Sequence, residues 1–182
     1  MASSITYLLF LLFTLACKQI VAQTYTGPED SRVNTEIVYP NPINGVSTTP
    51  DGRLFLVIAR VDGSTGPQVV EYDRESNTST AYPNEEWNSY AEGKDPATHF
   101  LGVNAQRVGP DGNLWIVDKG ATALGGAVDL PDGPKVVVVN TDTDEVLRVY
   151  NMGSAVRVDS LLDDIRFSAN PQYAYLTVSP QN

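Results

Sequence analysis

Asn44, Asn104 and Asp164 stand sixty residues apart, a spacing that in a repeating fold returns one position to equivalent places. Two amides and a carboxylate present oxygens of the kind that hold a hard cation such as calcium. The same residue types also cap turns, accepting hydrogen bonds from nearby backbone N–H groups. Asp118 is a further candidate for ligand contact, although an Asp before Lys119-Gly120 also commonly closes a strand into a glycine turn. His99 is the single histidine and has the chemistry of a base, but no nucleophile is placed beside it. The sequence contains no Ser-His-Asp pattern, no Cys-x-x-Cys and no phosphate-cradling glycine loop. No catalytic residue is assigned. Asn104, Asp118 and Asp164 are the candidate ligand contacts, and Asn44, Asn104 and Asp164 the candidate metal set.

The elements that must position these residues are short. Beyond the N-terminus, β-branched runs are separated by Pro, Gly, Asn and Asp clusters, and no long segment shows helical periodicity. Strands are expected at Leu54–Ile58, Val69–Tyr72, Leu114–Val117, Lys135–Asn140, Val146–Tyr150 and Ala174–Val178, with a helical turn hinted at Ser160–Ile165. Thr49-Pro50-Asp51-Gly52-Arg53-Leu54-Phe55 recurs as Gly109-Pro110-Asp111-Gly112-Asn113-Leu114-Trp115, and more weakly as Ala169-Asn170-Pro171-Gln172-Tyr173-Ala174-Tyr175. Phe55, Trp115 and Tyr175 therefore keep the sixty-residue period, each following a turn in which Pro sets φ and Gly accepts the positive value. Each of the first two copies is followed by a second hairpin, which makes a four-stranded sheet per repeat. That is the unit of a β-propeller, whose blades cover one another's apolar faces. A β-sandwich is the alternative, but it does not account for the period. The expected repeats run roughly over residues 40–99, 100–159 and 160–182, the last one cut short. Propellers have about 4–8 blades, so the chain is expected to be an incomplete all-β propeller of about two and a half blades. An unpaired blade face would then invite self-association.

Composition narrows the function classes. The chain has 182 residues, 42% of them hydrophobic, and a formal net charge of −10. Loss of the first 22 residues, whose only charged side chain is Lys18, would make it −11. Such a surface repels nucleic acid and anionic membranes, so neither is an expected partner. Ile5–Ala16 is an apolar run of 12 residues, too short to span a bilayer and of the length of a secretory h-region. Residues 1–22 are read as a signal peptide cleaved after Ala22 and residues 23–182 as the mature, extracellular part. Cys17, the single cysteine, would leave with the signal. In a secreted chain Asn77-Thr78-Ser79 is a glycosylation sequon, set in a polar turn. The Gly-rich stretch at residues 120–133 makes a long loop able to border a site, and Glu85-Glu86-Trp87 an acidic rim or an ordinary turn.

The stretch from Arg107 to Gly120, with Leu114-Trp115-Ile116-Val117-Asp118-Lys119-Gly120 at its centre, resembles a blade of the yellow/major royal jelly protein family. Lys135–Asn140 with Val146–Tyr150 is similar to the family's next hairpin, and Ser160–Phe167 with Tyr173–Thr177 to the following blade. The resemblance covers roughly residues 95–178 and implies a secreted six-bladed propeller, of which this chain would hold the first part, binding a small organic ligand. Calcium-dependent lactonases of the gluconolactonase type are more distantly similar. They imply the alternative, a hydrolase using calcium as a Lewis acid to polarise a lactone carbonyl. Asn44 lies near the position of their metal-binding Glu, which leaves the set short of negative charge.

Overall fold

The computed structural model describes residues 30–60, 65–170 and 172–180, so the signal segment read at residues 1–22 lies outside the described residues. Two compact units are present, Met1–Glu36 and Ile37–Asn182. In the first, the described residues form a local turn in which the Val33 N–H donates to the Asp30 carbonyl at 2.9 Å.

The second unit is all β. Its strands are β1 (Ile43–Thr48), β2 (Leu54–Ile58), β3 (Val69–Asp73), β4 (Thr78–Ala81), β5 (Val103–Val108), β6 (Leu114–Lys119), β7 (Pro134–Val139), β8 (Val146–Asn151), β9 (Ser160–Phe167) and β10 (Ala174–Pro180). They form antiparallel sheets in the orders β1-β2-β3-β4 and β5-β6-β7-β8, with β9 and β10 as a two-stranded sheet. The first strand of each sheet neighbours the first strand of the next, β1 with β5 and β5 with β9. Sequential four-stranded meanders whose first strands gather together are the blades of a propeller. The described residues thus form two full blades and the inner half of a third.

The Pro-Asp-Gly repeats act as their chemistry requires. Gly52 and Gly112 carry φ of 96° and 78°, and each N–H closes its turn at 3.0 Å on the carbonyl three residues back, Thr49 and Gly109. The strand that follows alternates its faces. From β2, Phe55 and Val57 enter the core between the first and second sheets, together with Leu114, Ile116, Val137 and Val139 of the second. Leu54, Leu56 and Ile58 go to the opposite face, covered by Ile37, Tyr39 and Ile43. Both faces are therefore occupied, and all five residues of β2 are buried. The other face of the second sheet, Val117 and Val136 with Trp115 beside them, packs on Leu162, Ile165, Phe167 and Leu176 of the third.

One sequence expectation is overturned. Ser160–Ile165 is no helical turn but the first six residues of β9, paired antiparallel with β10. Its residues Leu162 and Ile165 are spaced like a helix stripe, but the register shift between Leu176 and Val178 offsets the strand alternation and sends both to the same core. The inner strands β1 and β5 are interrupted by polar residues, Asn44, Ser47 and Thr48 in the first and Asn104, Gln106 and Arg107 in the second, so neither shows the apolar run that marks β2 or β7.

Candidate functional site

The entrance to β5 is held by buried polar groups from both neighbouring blades. Gln68, just before β3, donates from Nε2 to the Phe100 carbonyl at 2.8 Å and accepts from the Val103 N–H at 2.8 Å. Asp118, at the end of β6, accepts from the N–H groups of Leu101 at 2.8 Å and Gly102 at 3.0 Å. It also accepts from the Gly120 N–H at 2.9 Å and from Lys135 Nζ at 2.7 Å. Asp118 has no exposed surface and Lys135 has 1%. This buried pair and its three backbone donors fasten the Phe100–Val103 segment to the second blade. The structure therefore places Asp118 inside the blade, apart from the other candidate ligand contacts, with its oxygens committed to the backbone and to Lys135.

Asn44, Asn104 and Asp164 do come together. They line one cleft of about 400 Å³ along β1, β5 and β9, together with Gly45, Gln106, Arg107 and Asp163. Their side chains stitch one inner strand to the next. Asn44 Nδ2 donates to the Asn104 carbonyl at 2.6 Å, and Asn104 Nδ2 donates to the Asp163 carbonyl at 3.1 Å and to its Oδ1 at 2.7 Å. A second rung repeats three residues on. Ser47 donates to the Gln106 carbonyl at 3.2 Å, and Arg107 Nε to the Ile165 carbonyl at 2.9 Å.

The donor set does not fit a resident calcium ion. Asp164 accepts from the Ile165 N–H at 2.8 Å and is paired with Arg166 and, at 3.4 Å, with Arg107. Burial pushes its carboxyl pKa up, but the Ile165 N–H and the two guanidiniums outweigh that and hold it below the ordinary value. Those guanidiniums occupy the place of the cation in the local charge balance. Among the described residues no three His, Cys, Asp or Glu side chains cluster as ligands.

Three residues that the sequence did not single out stand near this centre. Gln106 is 3% exposed, and both its Oε1 and its Nε2 are buried without a hydrogen-bond partner. Arg60 and Lys119 line a smaller adjoining cleft of about 200 Å³, which shares Asn44 and Asn104 with the larger one. Thr122 and Leu124, from the Gly-rich loop, also border this smaller cleft. Gln106 was legible only as a polar residue two positions after Asn104, and the register shift between Val103 and Ala105 breaks the alternation that would relate the two. Nothing local distinguishes it from a solvated Gln.

The remaining candidates are structural or peripheral. His99 is buried, with Nδ1 at 2.9 Å from the Asp95 carbonyl and 3.1 Å from Thr98 Oγ1. Trp87 packs on Phe100 at 5.1 Å between ring centroids. Asn77 sits in an exposed turn with φ of 55°, immediately before β4, and its Oδ1 accepts from the Tyr72 hydroxyl at 2.9 Å.

No protein-family model matches the chain, and no curated protein matches it. Similar solved structures include YCF48 bound to D1 peptide, at 13% identity and a TM-score of 0.45, covering 78% of this chain and 37% of that one. Another is a luciferin-regenerating enzyme, at 16% identity and a TM-score of 0.39, covering 76% of this chain and 37% of that one. The chain thus spans little more than a third of the length of these structures.

Proposed function

We propose that this chain is part of a secreted propeller of the yellow/major royal jelly type that holds a small polar organic ligand in the cleft along β1, β5 and β9. The observation that carries the reading is Gln106, a residue of that cleft's lining whose amide is buried with neither donor nor acceptor used. Leaving such a group unpaired costs about 1–3 kcal/mol, and a ligand with a matching acceptor and donor removes the cost. The polar lining of Asn44, Asn104 and Asp163 supplies further contacts for orientation. The apolar run at Ile5–Ala16 supports export.

The test is a thermal-shift screen of the full secreted chain against amino acids, amines, sugars and hydroxy acids. At least one class should raise the melting temperature saturably. The response should vanish in Gln106→Leu while that variant stays folded. A screen with no response, or a response that Gln106→Leu leaves intact, overturns the reading. N-terminal sequencing of the protein from the medium should begin at Gln23; retention in the cell overturns the secretory part.

A further inference from the structure

We propose that the smaller cleft, between the end of β2 and the end of β6, is an oxyanion site in which Arg60 and Lys119 receive the carboxylate or phosphate group of a small organic ligand. This rests on the ligand-binding reading above and names the chemical class of that ligand.

The argument starts from an unbalanced charge. The protein carries an excess of acidic side chains, with a formal net charge of −10, yet among the described residues this cleft is lined by two cations and by no Asp or Glu. Lys119 is 8% exposed. Among the described residues no side chain or carbonyl accepts a hydrogen bond from its ammonium, and no carboxylate pairs with it. Its neighbour Asp118 does not answer that need. Successive residues of a strand face opposite ways, and Asp118 is already committed to Lys135 and three backbone N–H groups. Burial accordingly lowers the Lys119 pKa, with Asp118 offsetting only part of the effect.

Arg60 shows the same imbalance. One guanidinium nitrogen donates to the Gly66 carbonyl at 2.6 Å, while its Nε is buried with no acceptor among the described residues. Burial lowers its pKa, and among the described residues no acidic neighbour opposes the shift. A desolvated cation without a counter-charge is costly, and two of them on one cleft form a complementary surface for an oxyanion.

The cleft is also built rather than incidental. Gly102 lies against the Lys119 side chain, and a Cβ there would stand 2.6 Å from Lys119 Cε and 2.1 Å from the Ala121 carbonyl oxygen. The segment carrying Gly102 is the one fastened by Gln68 and Asp118. Asn44 and Asn104 form the border with the larger cleft, so a ligand acidic at one end can reach that cleft with its polar body. A volume of about 200 Å³ suits an acidic group and a few further atoms, below the range of drug-sized pockets.

The experiment measures melting of the full chain with inorganic phosphate and, separately, with propionate, each against sodium chloride at matched ionic strength. A saturable rise with either oxyanion is expected, and the responding one identifies the acidic group. Lys119→Met and Arg60→Gln should each abolish the rise, whereas exposed Lys94→Gln should keep it. Without added anion, Lys119→Met should melt higher than the wild type by about 2–4 °C, since it removes an uncompensated charge. No rise beyond the chloride control, or a rise that survives both substitutions, overturns the oxyanion site. If neutral or cationic compounds still shift melting through Gln106 in that case, the ligand-binding reading stands without it. If nothing shifts melting, both fail together.

Discussion

Phe55 and Tyr175 occupy the same position of the repeat and meet opposite surroundings. Phe55 follows the first Pro-Asp-Gly turn, points toward the second sheet and is fully buried, its ring 4.5 Å from that of Tyr82. Trp115 follows the second turn and is partly buried, stacked on Tyr150 at 5.8 Å and set edge-on to Phe167 at 5.3 Å. Tyr175 is 61% exposed, with Tyr173 and Val178 exposed nearby. The aromatic at this position faces the blade that comes next, so its burial belongs to the neighbour as much as to its own strand. The opposite end of the array teaches the complement. The outer face of the first sheet is covered by Ile37, Tyr39 and Ile43, residues outside any four-stranded sheet except the last. A short extended segment is enough to bury it.

That contrast can be broken by substitution. The largest loss is expected for Asp118→Ala, which leaves Lys135 buried beside three unanswered N–H groups and should cost about 3–5 kcal/mol in urea unfolding. Phe55→Ala should fall in a similar range, about 3–5 kcal/mol, because the cavity opens between two packed sheets. A loss below about 1 kcal/mol for Phe55→Ala would show that the first two sheets do not share one core. Gln106→Leu should stabilise the ligand-free chain by about 1 kcal/mol, since it replaces an unpaired buried amide with an apolar side chain of similar size. Destabilisation there would mean that the amide has a partner in solution. The smallest effect is expected at Tyr175, where Tyr175→Ser should stay within about 0.5 kcal/mol of the wild type. A loss as large as that of Phe55→Ala would show that something covers the third sheet.

Acidity separates Asp164 on β9 from Lys119 at the end of β6. A carboxyl whose folded pKa is depressed, as at Asp164, contributes stability above the unfolded value of about 4 and loses it as pH falls through the folded value. Lys119 behaves in the opposite sense. Its depressed pKa means the folded state carries a cost at neutral pH, and that cost fades as pH rises toward the unfolded value of about 10.4. The melting difference between Lys119→Met and the wild type should therefore shrink between neutral and alkaline pH, as followed by circular dichroism. A difference that holds constant would place its origin in packing rather than charge.

Much of the blade pattern was legible from short-range chemistry. The turns at Gly52 and Gly112 and strands such as Leu54–Ile58 follow from proline, glycine and β-branched residues acting within a few positions of one another. The convergence of Asn44, Asn104 and Asp164 was legible for a related reason, since a strict period returns equivalent positions to equivalent places. Their work was not. The sequence allowed cation ligands or turn caps, whereas two of the three are amides that donate to the next inner strand and the third is held by arginines. β9 was obscured because its Leu162 and Ile165 imitate a helical stripe until a bulge in the pairing is known.

By itself, then, the sequence determined the sheet unit, its period and its turns, because dihedral preference and alternation act along the chain. Only the tertiary structure decided which polar groups have partners. Asp118 and Lys119 are adjacent in the chain, yet one is saturated and the other is buried without an acceptor among the described residues. The difference lies in what each meets across the sheet and between the blades, and desolvation turns that difference into a site.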